Sequence, residues 1–110
     1  MVGIDIVSIK RFKSIKKTDY SFWDKFYTKE EWQYCFKKAK PTQHLAGIFA
    51  SKEAVIKVYS KKEIDNHCQI EIKHKVSGQP FVKIKNLSKQ EIQISISYDH
   101  GFAIAIAFRK

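Results

Sequence analysis

The chain has 110 residues, 44% of them hydrophobic and 14% aromatic, which is enough apolar material for one globular domain over 1–110 and excludes a disordered chain. Lysine and arginine number 21 against 11 acidic residues, a net charge of +10 that favours an acidic partner: nucleic acid, an anionic membrane or an acidic protein. Met1 leads directly into a strand pattern, no apolar run approaches the length of a membrane span, and Cys35 and Cys68 lack CxxC spacing. These features point to a cytoplasmic protein with reduced thiols and no membrane partner. A zinc site assembled from Cys68, His44, His67, His74 and His100 fails on spacing.

In chain order, Val2 to Val7 alternates as a strand, with Val2, Ile4 and Ile6 on one face and Asp5 on the other, between Gly3 and Val7. A short helix is predicted over 9–16, then an aromatic connector containing Tyr20, Phe22, Trp23, Phe26 and Tyr27. That cluster suits closure of a small core better than a base-stacking surface. Thr28 and Glu31 form a capping box that opens a helix to about residue 38, and Pro41 opens a long helix to about residue 59. Four strands follow, over 69–75, 81–85, 92–98 and 102–108, with Gly78 and Gly101 in turns. Within the last two, Ile92, Ile94, Ile96 and Tyr98 are expected to share a bulky face with Phe102, Ile104, Ile106 and Phe108. Ser95, Ser97, Ala103, Ala105 and Ala107 would then form a small face on which a helix can nest. The expected architecture is α+β, an antiparallel sheet against a long helix.

The long helix carries the chemistry. Leu45, Ile48, Phe49, Val55, Ile56 and Tyr59 form an apolar arc at 100° per residue, yet Lys52 lies within it, and Glu53 and Lys57 lie at its edge among Ala46 and Ala50. A carboxylate on a half-buried, small-residue stripe normally faces a cation, a metal or a positioned donor. Asp5 and Glu53 together suit Mg²⁺, which takes one or two protein carboxylates and leaves its other positions to water and phosphate oxygens. Lys57, one turn after Glu53, and Lys52 would then meet the phosphate. Periodicity alone equally admits an ordinary i,i+4 surface pair at Glu53 and Lys57 and a solvated strand end at Asp5.

Three blocks, Gly3-Ile-Asp-Ile-Val7, Phe49-Ala-Ser-Lys-Glu-Ala-Val-Ile-Lys57 and Ile94-Ser-Ile-Ser-Tyr-Asp-His-Gly-Phe-Ala103, resemble in order and spacing the signature blocks of the holo-acyl-carrier-protein synthases. These are the small type of 4′-phosphopantetheinyl transferase. Phe26-Tyr-Thr-Lys-Glu-Glu31 and Ser77-Gly-Gln-Pro80 also fit the family, so the likeness spans the chain. It implies the phosphopantetheinyl transferase fold as a homotrimer with coenzyme A in clefts between subunits. The implied reaction is Mg²⁺-dependent transfer of the phosphopantetheine arm of coenzyme A to a serine of apo acyl carrier protein, releasing adenosine 3′,5′-bisphosphate, a step of fatty acid biosynthesis.

By resemblance, Asp5 and Glu53 take the metal-binding positions, Glu53 is the candidate base and Lys57 the diphosphate contact. Lys52 would hold a coenzyme A phosphate or organise the site, and Gly78, Pro80, Ser97, Tyr98 and His100 fall at coenzyme A positions, with Gly78 and Pro80 reaching the nucleotide of a neighbouring subunit. Arg11, with Lys10 and Lys13, falls on the carrier-docking segment, in keeping with the strongly acidic character of such carriers. The chain departs from the family at Tyr98, where histidine is usual, so that either His100 substitutes or Tyr98 supplies a hydroxyl, and at Ile48, where a basic residue is usual. Those departures are the only support for a degenerate, carrier-binding homologue. A basic module that binds nucleic acid would explain the charge but leave Asp5 and Glu53 without a role, because acids repel phosphates unless a metal intervenes. No nucleic-acid partner is therefore expected.

Overall fold

The computed structural model describes residues 1–87 and 91–110. Strand β1 (Val2–Ser8) leads through a 3₁₀ turn (Ile9–Phe12) and a short helix α1 (Tyr20–Trp23) to α2 (Lys29–Phe36) and the long helix α3 (Pro41–Ile56). Strands β2 (Ile70–His74), β3 (Pro80–Ile84), β4 (Ile92–Asp99) and β5 (Phe102–Arg109) complete the chain. They form a three-stranded sheet in the order β1-β5-β4 and a separate hairpin β2-β3, every pair antiparallel. Among the described residues no helix is long and apolar enough to cross a membrane.

The segment over 9–16 does not form the expected α-helix. Its core-facing residues, Ile9, Phe12 and Ile15, recur every three positions, the period of a 3₁₀ turn, and the bonds from Lys13 N–H to Lys10 and from Ile15 N–H to Phe12 span three residues. The Thr28/Glu31 capping box is present, with Thr28 Oγ1 accepting from Glu31 N–H and Glu31 Oε1 accepting from Thr28 N–H. Proline occupies the first turn of α3, where its missing N–H costs nothing. The aromatic connector does close the core: Tyr27 is fully buried with its hydroxyl donating to the Leu45 carbonyl at 2.7 Å, and Trp23 and Phe26 pack beside it, whereas Phe22 stays exposed.

The faces of the β4-β5 hairpin differ from expectation. The connection is the two-residue turn His100-Gly101, both at positive φ (47° and 80°), as the strand twist favours. Asp99 therefore pairs with Phe102, and every even residue of β4 lies opposite an odd residue of β5. Ile94, Ile96 and Tyr98 share a face with Ala107, Ala105 and Ala103, joined by Gly3, Asp5 and Val7 of β1. The opposite face carries Phe102, Ile104, Ile106 and Phe108 with Val2, Ile4 and Ile6, all exposed in the single chain, flanked by Gln93, Ser95 and Ser97.

Helix α3 lies on the alanine face with unusually close backbone approach. A Cβ on Gly3 would sit 2.1 Å from the Ala54 carbonyl oxygen, and one on Gly47 would sit 2.1 Å from the Tyr98 hydroxyl. Small residues on both sides (Ala50 and Ala54 against Ala103, Ala105 and Ala107, all fully buried) let helix and sheet meet without long side chains between them.

Candidate active site

The close approach at Gly3 places Asp5, Glu53 and Lys57 together. Asp5 is two residues beyond Gly3 on the same face of β1, while Glu53 and Lys57 flank Ala54 on α3. Lys57 Nζ donates to the Ile4 carbonyl at 2.6 Å and lies 3.5 Å from Asp5 Oδ1, an ion pair longer than a good hydrogen bond. Asp5 Oδ2 is buried and has no hydrogen-bond partner among the described residues. Burial holds the Asp5 carboxyl above its ordinary range; Lys57 pulls against this, and the neighbouring Glu53 charge pushes it further up. Arg11, whose guanidinium lies 5.5 Å from the Phe49 ring centre, also sends its field to Asp5 and so stands at the rim of the site.

Those carboxylates fit a hard divalent cation. A buried carboxylate oxygen without a donor, beside a second carboxylate whose charge it feels, is an arrangement that a cation would relieve. Asp5 and Glu53 would hold it, and two carboxylate ligands leave most of an octahedral shell to water and phosphate. Among the described residues no cluster of three or more acidic, histidine or cysteine side chains competes for that role.

Lys52 does not join them. Its ammonium is completely buried, 2.5 Å from Glu31 Oε1 and 2.8 Å from the Phe26 carbonyl, so it is committed to the interior rather than to a coenzyme A phosphate. Glu31 in turn accepts from the backbone N–H groups of Thr28 and Ile72, each at 2.7 Å, tying α2, α3 and β2 together. Burial pushes its carboxyl up, against the pull of Lys52 and those donors. The position of Lys52 inside the apolar arc was the available signal: a lysine there needs a buried acid.

The remaining coenzyme A candidates lie apart from the three residues. Gly78, at φ +92°, and Pro80 belong to the β2-β3 hairpin, in the other sheet. Ser97 is on the outer face of β4, opposite to Asp5, and His100 is an exposed turn residue 2.7 Å from Asp99. Tyr98 is on the Asp5 face, but its hydroxyl fills the space over Gly47, where burial raises it to about 12; its ring packs on α3 beside His44 instead of offering a hydroxyl to a ligand. Lys10, Arg11 and Lys13 are exposed on and beside the 3₁₀ turn that follows β1. Sequence reasoning missed two partners: Glu31, read only as a cap, and His67, whose Nε2 lies 3.0 Å from Glu53 Oε1.

The sequence profile of the 4′-phosphopantetheinyl transferase superfamily matches residues 1–107. The chain belongs to this superfamily. Holo-[acyl-carrier-protein] synthase of Thermodesulfovibrio yellowstonii is 42% identical over 105 residues, covering 94% of this chain and 92% of that protein. The synthase of Protochlamydia amoebophila is 37% identical over 114 aligned positions, covering 96% and 93%. Among solved structures of such transferases, the Helicobacter pylori synthase in complex with coenzyme A superposes with a TM-score of 0.79 at 34% identity, covering 97% of each chain. A Chronobacterium ammoniagenes complex with coenzyme A gives 0.76 at 27% identity over 96% of this chain and 92% of that one.

Proposed function

We infer that this chain is a holo-[acyl-carrier-protein] synthase, a single-domain enzyme that moves the 4′-phosphopantetheine group of coenzyme A to a serine of an apo acyl carrier protein. Asp5 Oδ2 carries the assignment of the site: a buried, unpartnered carboxylate oxygen beside Glu53 and Lys57 is costly unless it binds something. Mg²⁺, held by Asp5 and Glu53, supplies positive charge against the pyrophosphate oxygens when bound. Glu53 accepts the proton of the serine hydroxyl as its oxygen bonds to the β-phosphorus of coenzyme A. The bond from that phosphorus to the bridging oxygen breaks, and the electron pair leaves on adenosine 3′,5′-bisphosphate. Lys57, half exposed with its ammonium over the strand, is placed to meet the charge that grows on the leaving phosphate.

The outer face of the three-stranded sheet supports the homotrimer. Seven large apolar side chains on β1 and β5 stand exposed there, from 39% at Ile104 to 61% at Val2, and a monomer rarely leaves such a patch uncovered. In such an assembly Ser97, and Gly78 and Pro80 of a neighbouring copy, would by family resemblance lie at the coenzyme A cleft between subunits. The carrier docks on the exposed Lys10, Arg11 and Lys13 beside Asp5, its acidic surface matching the net charge of +10. The reaction belongs in the cytoplasm.

Incubation with coenzyme A, Mg²⁺ and an apo carrier, followed by intact-mass measurement of the carrier, tests the reading. Addition of one phosphopantetheine by the native chain, and by neither Asp5→Ala nor Glu53→Ala, is expected. A native chain that retains the carrier without modifying it would make it the degenerate homologue, and turnover by either variant at the native rate would remove the metal assignment. Light scattering should give three times the 12.9 kDa chain mass.

A further inference from the structure

Glu53 is held by a residue that no motif announces. His67 opens the 3₁₀ turn His67–Gln69 before β2 and brings Nε2 to 3.0 Å from Glu53 Oε1. A carboxylate can only accept, so Nε2 carries the hydrogen. The ring is clamped on two sides: it lies nearly parallel to Phe49 (17°, centres 5.8 Å apart) and meets Phe26 edge-on at 5.0 Å. Phe49 and Glu53 are one helical turn apart on α3, so a ring seated on the first is carried to the carboxylate of the second. Its backbone is fixed as well, because Asn66 and Gln69 cap each other reciprocally around it, Asn66 Oδ1 accepting from Gln69 N–H and Gln69 Oε1 from Asn66 N–H. An exposed ion pair usually gains little because two flexible side chains must be ordered to make it. Here packing has already ordered the histidine, which keeps only 21% of its side chain exposed.

We propose that His67 is a positioning residue: its Nε2–H holds Oε1 of Glu53 and leaves Oε2 as the oxygen that meets the divalent cation and the serine proton. Among the described residues Oε2 makes no hydrogen bond. A carboxylate with both oxygens unrestrained rotates about its last torsion and spends part of its time misdirected, whereas one oxygen pinned by a rigid donor fixes the other. Outer partners of this kind are worth about 10–100-fold in metal affinity or activity where they orient a ligand. The inference rests on the assignment of Glu53 to metal and base.

Titrating Mn²⁺ into the full-length protein, with free Mn²⁺ read by electron paramagnetic resonance, tests it without relying on turnover. Four forms are compared: native, His67→Phe, His67→Gln and Glu53→Ala, each with a melting curve and steady-state kinetics. His67→Phe keeps the ring stack and removes only the donor. It should melt like the native protein, bind Mn²⁺ about 10-fold more weakly, and lose kcat with the KM for coenzyme A changed by less than about twofold. His67→Gln, which restores an N–H donor, should recover much of the Mn²⁺ affinity. Native Mn²⁺ affinity and kcat in His67→Phe, with Mn²⁺ binding lost in Glu53→Ala, would overturn the positioning role alone. Native affinity in both would overturn the metal assignment and the positioning role together. A fall in melting temperature in His67→Phe that His67→Gln shares, with no recovery of affinity, would make His67 a packing residue and also overturn the proposal.

Discussion

Asp5→Asn should stabilise the protein while disabling it. In the native chain Asp5 is 19% exposed, and among the described residues Oδ2 has no donor and the cation in direct contact, Lys57, is 51% exposed and 3.5 Å away. The asparagine amide still leaves a polar atom unmet at that point, so the substitution removes only the extra cost of burying a charge there, less the about 0–1 kcal/mol that the ion pair with Lys57 returns, a net gain on the order of 1 kcal/mol. At about 4–8 °C per kcal/mol for a domain near this size, the melting temperature in EDTA should rise by roughly 4–8 °C. The sign with pH follows from the raised carboxyl. Relative to the unfolded chain, the penalty is absent below the ordinary value of 3.8 and is complete once the pH has passed the higher folded value, so the gain is present at neutral pH and vanishes in acid. Divalent cation should reverse the ranking: at ten times its dissociation constant Mg²⁺ adds about 1.4 kcal/mol to the native form and little to Asp5→Asn. Differential scanning fluorimetry across an Mg²⁺ series, in EDTA-stripped buffer, measures both shifts. A variant that melts below the native chain in EDTA, or that gains as much from Mg²⁺, would refute the reasoning.

Glu31→Gln should cost about 3–5 kcal/mol in urea unfolding, because the amide turns one acceptor into a donor facing Lys52, Thr28 N–H or Ile72 N–H and leaves the buried lysine charge unbalanced. A loss below about 1 kcal/mol would show that the pair is solvated. Gly3→Ala drives a methyl to 2.1 Å from a backbone carbonyl that cannot rotate aside, so transfer activity should fall together with the melting temperature; native activity would mean that α3 does not rest on β1 at that point. His44 and His74 are both held below the ordinary value of 6.5 by burial, with Lys38 adding to the effect on each and His44 adding to that on His74. The unfolded chain therefore takes up protons first, and stability should fall as the pH drops below about 6.5. His74→Phe, which keeps a ring against Tyr34, should flatten that slope, and an unchanged slope would place the titration elsewhere.

Local pattern made much of the candidate site legible. Alternation in β1 sets Asp5 opposite Ile4 and Ile6, and the 3.6-residue period sets Glu53 and Lys57 on one face of α3, because each follows from backbone geometry within a few residues. Thr28 and Glu31 likewise announce a helix start whose bonds span three positions. The family likeness was legible for the same reason: its blocks are contiguous.

Long-range pairing decided what those patterns could not. The faces of β4 and β5 depended on whether the hairpin turn holds an even or odd number of residues, and two residues at His100-Gly101 put the isoleucines of β4 on the alanine face, away from those of β5. Lys52 looked like a phosphate ligand until the fold supplied Glu31, 21 residues earlier, as its counter-charge. His67 carries no local signal at all, since its hydrogen bond to Glu53 exists only after α3 and the segment before β2 have packed around Phe26 and Phe49. Sequence fixes which groups a strand or helix can present; the partner each one meets is set by packing between elements distant along the chain.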